Sequence, residues 1–233
     1  MRMLGLIGGI SWESTAHYYA LLNRMIRARL GGFHSSRLLL WSVDFAEIER
    51  LQVAGKWDEA GVILAEAARR LEGAGAEAIL ICANSMHITA DAVKAAIEVP
   101  LIHIADATAA ALNLLNARKP LLLGTRYVME MDFYRARMRE LGMPTIVPDA
   151  ENRARLHAII FDELVMGRTE PSSKAALLAM IEAARVRDGA DSVIFGCTEI
   201  GLLLTAEESP IPAVDTSEAH VRAGIDFALS RSA

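Results

Sequence analysis

Two segments of the chain combine residue types that could move a proton. The first reads Ile81-Cys82-Ala83-Asn84-Ser85-Met86-His87, the second Phe195-Gly196-Cys197-Thr198-Glu199-Ile200. Each follows a short apolar run, so each delivers a cysteine and small polar residues from a strand end toward a helix start. The free N–H groups and partial positive charge at a helix start stabilise an anion, whether a substrate carboxylate or a thiolate. A cysteine with an ordinary pKa of ~8.5 needs only a modest shift to act as a base near neutral pH. An inert core thiol is the competing reading for Cys82, because free cysteine is often buried.

The elements that must position these segments alternate along the whole chain. Apolar runs at Met3–Gly8, Arg37–Val43, Ala78–Ile81, Leu101–Ile104, Leu121–Gly124, Thr145–Val147, Ser192–Phe195 and Ile211–Val214 read as strands. Helical periodicity fills Trp57–Gly73, Asp132–Leu141 and Ser172–Arg187. Near-continuous apolar strands alternating with helices predict parallel sheets covered on both faces, an α/β class. The second half also echoes the first. Gly75–Ile81 pairs without gaps with Gly189–Phe195 at an offset of 114, and Leu6-Ile7-Gly8 matches Leu122-Leu123-Gly124 at 116. Val99-Pro100-Leu101 with Asp106 echoes Ser209-Pro210-Ile211 with Asp215. Three echoes in one order predict two pseudo-symmetric domains of about four strands each. One spans residues 1–99 plus 210–233, the other 100–209, with an active site expected in the cleft between their strand ends.

Composition removes several classes of function. With 53% apolar and 23% charged residues the 233-residue chain has the make-up of an ordinary globular protein. A net charge of −5 and the lack of any Lys/Arg run argue against a nucleic-acid partner. The opening Met1-Arg2-Met3-Leu4-Gly5-Leu6-Ile7 is too short for an export signal or a membrane span, so a cytoplasmic location is expected. There, two distant cysteines read as free thiols rather than a disulfide. The six histidines show no metal-ligand spacing, so no metal is expected. Gly5, Gly8 and Gly9 do not spell a dinucleotide fingerprint. None of Lys56, Lys94, Lys119 and Lys174 ends a strand where a pyridoxal-phosphate Schiff base would need it. No cofactor is expected.

Leu6–Thr15, Val43-Asp44-Phe45, His103–Thr108, Leu123–Arg126, the Cys-x-Asn-Ser-Met-His segment and Gly196-Cys197-Thr198-Glu199 occur together and in order. In this the sequence resembles the aspartate/glutamate racemase family, its aspartate-racemase branch in particular, over nearly the whole chain. The resemblance implies cofactor-independent racemisation of an amino acid, aspartate or glutamate, by two cysteines. One thiolate removes the α-proton on one face and the other thiol returns a proton to the opposite face. It implies Cys197 and Cys82 as catalytic residues, and Asn84, Ser85, Thr125 and Thr198 as substrate-binding groups, with Ser11 and Gln52 as further candidates. It also implies a small-molecule substrate and a homodimer, with no membrane partner. Arg126 is the best-placed cationic partner for an acidic side chain, a surface salt bridge being the other account of it.

One departure bears on the mechanism. In most of the family the first cysteine directly precedes Asn-Thr, whereas here Ala83 stands between Cys82 and Asn84. The internal repeat likewise aligns Cys197 with Ala83 and Cys82 with Gly196. Successive strand residues point to opposite faces, so Cys82 and Ala83 are expected to face opposite ways. This leaves two-thiol and single-thiol chemistry open. A Cys197-only decarboxylase or isomerase acting on a small diacid, or a non-enzymatic amino-acid-binding protein, are the alternative functions.

Overall fold

The computed structural model describes residues 1–230. The chain forms two compact units, one of Met1–Ile104 with the chain from His220 onward, the other of Ala105–Ala219. The crossings fall at 104/105 and 219/220, each later than the ends of the sequence repeat.

In unit 1, β1 (Leu4–Gly8) leads into α1 (Trp12–Leu30), followed by β2 (Leu38–Ser42), α2 (Phe45–Val53), α3 (Trp57–Gly73), β3 (Ala78–Ile81), a 3-10 turn at Ser85–Thr89 and α4 (Ala90–Lys94). α5 (Ile104–Leu114) carries the chain into unit 2. There β4 (Pro120–Leu123) is followed by α6 (Arg126–Glu130), α7 (Asp132–Glu140), α8 (Ala150–Asp162) and α9 (Pro171–Ala183). α9 runs into a π-helical turn at Ala184–Asp188 and then β5 (Ser192–Phe195). Finally come α10 (Ile200–Leu203), β6 (Ala213–Asp215) and α11 (Thr216–Leu229), whose C-terminal part returns to unit 1.

Each unit holds one parallel sheet, in the orders β2-β1-β3 and β4-β5-β6. The expected fourth strands are corrected to single bridges, Leu101 to Ile79 beside β3 and Ile146 to Leu121 beside β4. Pro100 and Pro148 flank these segments. A proline has no N–H to give and constrains the residue before it, so neither ladder extends. With the bridges included, the two sheets have the same spatial order, β2-β1-β3-Leu101 and Ile146-β4-β5-β6.

The strands β1, β3, β4 and β5 are buried along their length, the double covering expected of parallel sheets. β2 differs: it lies at an edge and exposes Leu40, Trp41 and Ser42. Side-chain alternation in β3 is strict. Ile79 and Ile81 pack toward α2 and α3 with Ile48, Leu64 and Ala68. Ala78 and Leu80 pack toward α1 and α11 with Tyr18, Leu22, Val221 and Ile225. Helix starts are fixed by side-chain caps, which satisfy backbone donors that no helical partner reaches. Ser11 accepts from the Ser14 N–H, Asp44 from Ala46 and Asp149 from Asn152. Among the described residues no helix is long and apolar enough to cross a membrane.

Candidate functional site

The chemistry-bearing residues collect at the carboxyl ends of the central strands, in two groups that belong to separate units. In unit 2 the strand ends of β4 and β5 lie against each other through glycine. The Gly196 N–H donates to the Leu123 carbonyl at 2.6 Å. A Cβ on Gly124 would stand 2.9 Å from the Gly196 carbonyl oxygen, so the close approach needs glycine there. Beyond Gly196 the chain turns and presents Cys197, 8% exposed, and Glu199, 4% exposed. The Cys197 thiol donates to Glu199 Oε2 at 3.0 Å, and the Thr198 hydroxyl donates to the same oxygen at 2.7 Å. Burial pushes the Cys197 thiol pKa well up, and the adjacent Glu199 carboxylate raises it further. The Cys197 thiol and the Thr198 hydroxyl thus converge on one carboxylate oxygen. Thr125, at the end of β4, has a buried hydroxyl with no hydrogen-bond partner among the described residues. Ser217, just past β6, is in the same condition. Buried polar atoms of this kind are rare in folded proteins and call for an explanation such as a ligand.

In unit 1, β1 ends in a tight turn. Gly9 adopts φ +85°, and a Cβ there would lie 2.1 Å from the Val43 carbonyl. Ser11 holds φ 65°, an uncommon conformation for a residue with a side chain. It is retained by a dense set of bonds: Thr15 Oγ1–H to the Ser11 carbonyl (3.0 Å), the Gly9 N–H to Thr15 Oγ1 (2.8 Å) and the Ser14 N–H to Ser11 Oγ (3.1 Å). The alternation of β3 runs on through Cys82 and Ala83. Cys82 joins Leu80 in the cluster with Tyr18 and Val221 and is wholly buried, whereas Ala83 joins Ile81 on the opposite face at 7% exposure. Burial drives the Cys82 thiol pKa far up. Ser14 of α1 donates its hydroxyl to the Cys82 carbonyl at 3.2 Å, tying down the backbone here. Asn84 is buried and Ser85 half-buried on the turn that follows, and Gln52 of α2 donates to Met86 Sδ of that turn at 3.1 Å.

Unit 1 thus brings Ser11, Gln52, Cys82, Asn84 and Ser85 to the ends of β1 and β3. Unit 2 brings Thr125, Cys197 and Thr198 to the ends of β4 and β5. Arg126 is exposed and stacks its guanidinium over the Tyr127 ring, 5.2 Å from the centroid. Asp106 and Asp215, paired in the repeat, do different work: Asp106 takes a bidentate bond from Arg137 at 2.8 and 3.0 Å, while Asp215 caps α11 by accepting from Ser217 N–H at 2.7 Å. Among the described residues no three His, Cys, Asp or Glu side chains are grouped as a metal site requires. Glu199 and Ser217 lie outside the site residues expected from the sequence. The repeat carried no cue for either, since Glu199 aligns with Ser85, a residue of different chemistry.

The Asp/Glu/hydantoin racemase family model matches residues 7–224, and the chain belongs to that family. It is a racemase-family enzyme, of the isomerase class. The chain is 45% identical to a candidate Asp/Glu racemase from Yersinia pestis, with a TM-score of 0.92 over 99% of this chain and all of that one. It is 35% identical to an aspartate racemase homologue from Pyrococcus horikoshii, with a TM-score of 0.88 over 99% and 100%. It is also similar to the broad specificity amino-acid racemase RacX of Bacillus subtilis, 23% identical over 74% of each chain.

Proposed function

We propose that the chain interconverts the enantiomers of an acidic amino acid, aspartate or glutamate, with Cys197 as the one thiol that handles the α-proton. The observation that carries this reading is the Cys197–Glu199 pair, a buried thiol 3.0 Å from a buried carboxylate. The substrate class rests on the family and on the naming of the Pyrococcus relative as an aspartate racemase homologue. Cys82, which a two-thiol mechanism would use, is assigned to the core, because its side chain shares the face of Leu80 and has no exposed surface.

Glu199 accepts the Cys197 thiol proton, and the thiolate takes the α-proton, leaving the bond's electron pair on carbon, delocalised into the substrate carboxylate. The unpartnered Thr125 hydroxyl supplies a donor to that developing charge, the kind of preorganised stabilisation that lowers such barriers most, while Thr198, whose hydroxyl donates to Glu199, keeps the binding role implied by the family resemblance. Asn84, Ser85, Ser11 and Gln52 keep the substrate-binding role implied by the family resemblance. With Cys197 as the one thiol, water protonates the other face of the carbon, and the resulting hydroxide takes the proton held by Glu199. Thiol and carboxylate are both regenerated.

A single thiol makes the two enantiomers unequal. The one whose α-proton faces Cys197 exchanges with solvent faster than it inverts. NMR of L- and D-aspartate and glutamate in D₂O, with chiral chromatography of the same samples, tests this. Equal exchange rates for both enantiomers would overturn the single-thiol reading; no exchange with either amino acid would overturn the substrate assignment. The homodimer implied by the family and a cytoplasmic location belong to the same proposal, the latter supported by two unpaired cysteines.

A further inference from the structure

Three histidines far apart in sequence, His87, His103 and His220, are buried together in unit 1. The His87 ring lies 4.6 Å from that of His103 and 5.6 Å from that of His220, centroid to centroid. The proposed proton transfer uses none of them. Two have hydrogen bonds that fix the tautomer. The Ile104 backbone N–H can only donate, so His87 Nε2, 3.2 Å away, accepts; the ring proton sits on Nδ1 and is donated to the Ala83 carbonyl at 2.8 Å. The Ile102 carbonyl can only accept, so His220 donates from Nε2 at 2.7 Å, and its Nδ1 takes the Tyr18 hydroxyl proton at 3.0 Å.

We propose that His87 is a positioning residue: its Nδ1–H bond to the Ala83 carbonyl sets the turn that presents Asn84 and Ser85. The inference rests on the substrate-binding role given to those two residues above. Its grounds are geometric. The Ala83 carbonyl leaves the β3 ladder at the point where the chain turns, so a side chain must satisfy it. His87 reaches back four residues to do so, while its own N–H donates to the Asn84 carbonyl at 3.2 Å. Asn84 is thereby bracketed by two bonds from one residue. The opposite ring nitrogen anchors that residue to Ile104, the last residue before the chain leaves unit 1. The ring must stay neutral to accept there, and burial, with His103, His220 and Lys94 as neighbours, keeps it so.

Two substitutions separate the ring's two bonds. His87→Asn places an amide N–H near the Nδ1 position and keeps the bond to Ala83. His87→Gln places its amide near Nε2 and keeps only the link to Ile104. Expected results are that H87Q shifts the backbone amide signals of Asn84 and Ser85 and raises KM for the amino-acid substrate at least about tenfold. H87N leaves both near wild type, and kcat changes little in either. Long-range ¹H–¹⁵N NMR of the wild-type protein should show the Nδ1–H tautomer alone. H87Q with wild-type amide signals, H87N as impaired as H87Q, or an Nε2–H tautomer would each overturn the assignment. Wild-type protein inert toward aspartate and glutamate would instead overturn the proposed function, because the amide shifts and the tautomer are read without substrate.

Discussion

Replacing Cys82 with alanine is expected to lower stability and leave catalysis intact. The Cys82 side chain has no exposed surface and packs among Leu6, Leu80, Tyr18 and Val221 between β3 and the helices α1 and α11. Cys82→Ala removes one heavy atom from this closed site, comparable to deleting one buried methyl group, which costs about 1 kcal/mol. For a chain of this size that corresponds to a fall in Tm of roughly 2–4 °C. The Cys82 backbone, held by Ser14 and by its N–H to the Ile7 carbonyl, is unaffected by the change. Exchange of the α-proton in D₂O should then stay within about twofold of wild type, less than 0.5 kcal/mol of barrier. If Cys82 were instead the second acid–base group, removing it would cost a factor of about 10²–10⁴. The pair of measurements, a melting curve and an exchange rate on one variant, separates the two cases. A C82A protein that melts like wild type and has lost exchange would refute the reasoning.

Glu199→Gln removes the acceptor of the Cys197 proton and its negative charge. The thiol pKa should fall, since Glu199 raises it, so alkylation of Cys197 at fixed pH should speed up while α-proton exchange slows at least about tenfold. Alkylation no faster than wild type would show that the carboxylate does not act on the thiol. The buried histidines predict acid lability. Burial lowers the His220 pKa from 6.5 to about 4, so below pH 6.5 the unfolded chain binds a proton that the folded chain refuses. Stability is therefore lost as pH falls from 6.5 toward 4, by about 3 kcal/mol from this group at the lower end. Urea unfolding across that range should show it, with a smaller pH slope in His220→Asn; equal slopes would remove His220 from the account. Sedimentation should give twice the chain mass, and a monomer at micromolar concentration would contradict the homodimer.

Much of this was legible from residue order because parallel α/β units write their periodicity plainly. The buried runs of β1, β3, β4 and β5 and the helix at Trp57–Gly73 stand where the pattern predicted them. The fourth strands failed because an apolar run records burial, whereas a ladder needs free N–H groups on both sides of the pair, and Pro100 and Pro148, at the edges of the two runs, have none to give. The relation of Cys82 to Ala83 was readable as a frame problem from the repeat alone. Its resolution needed the packing, since strict alternation past the end of a strand is not assured by sequence. Nothing in the sequence joined His87, His103 and His220, whose meeting depends on α11 returning to the first unit. The Cys197–Glu199 contact was likewise hidden, because an acid two residues after a cysteine caps a helix as readily as it accepts a proton.

The central claim, that Cys197 moves the α-proton, is met most directly by Cys197→Ser assayed for loss of the α-proton signal of aspartate and glutamate in D₂O. A hydroxyl in place of the thiol keeps the size and the bond to Glu199 but is far harder to ionise, so exchange should fall by a factor of about 10² or more with the fold intact. Exchange at the wild-type rate in a folded C197S protein would contradict the account.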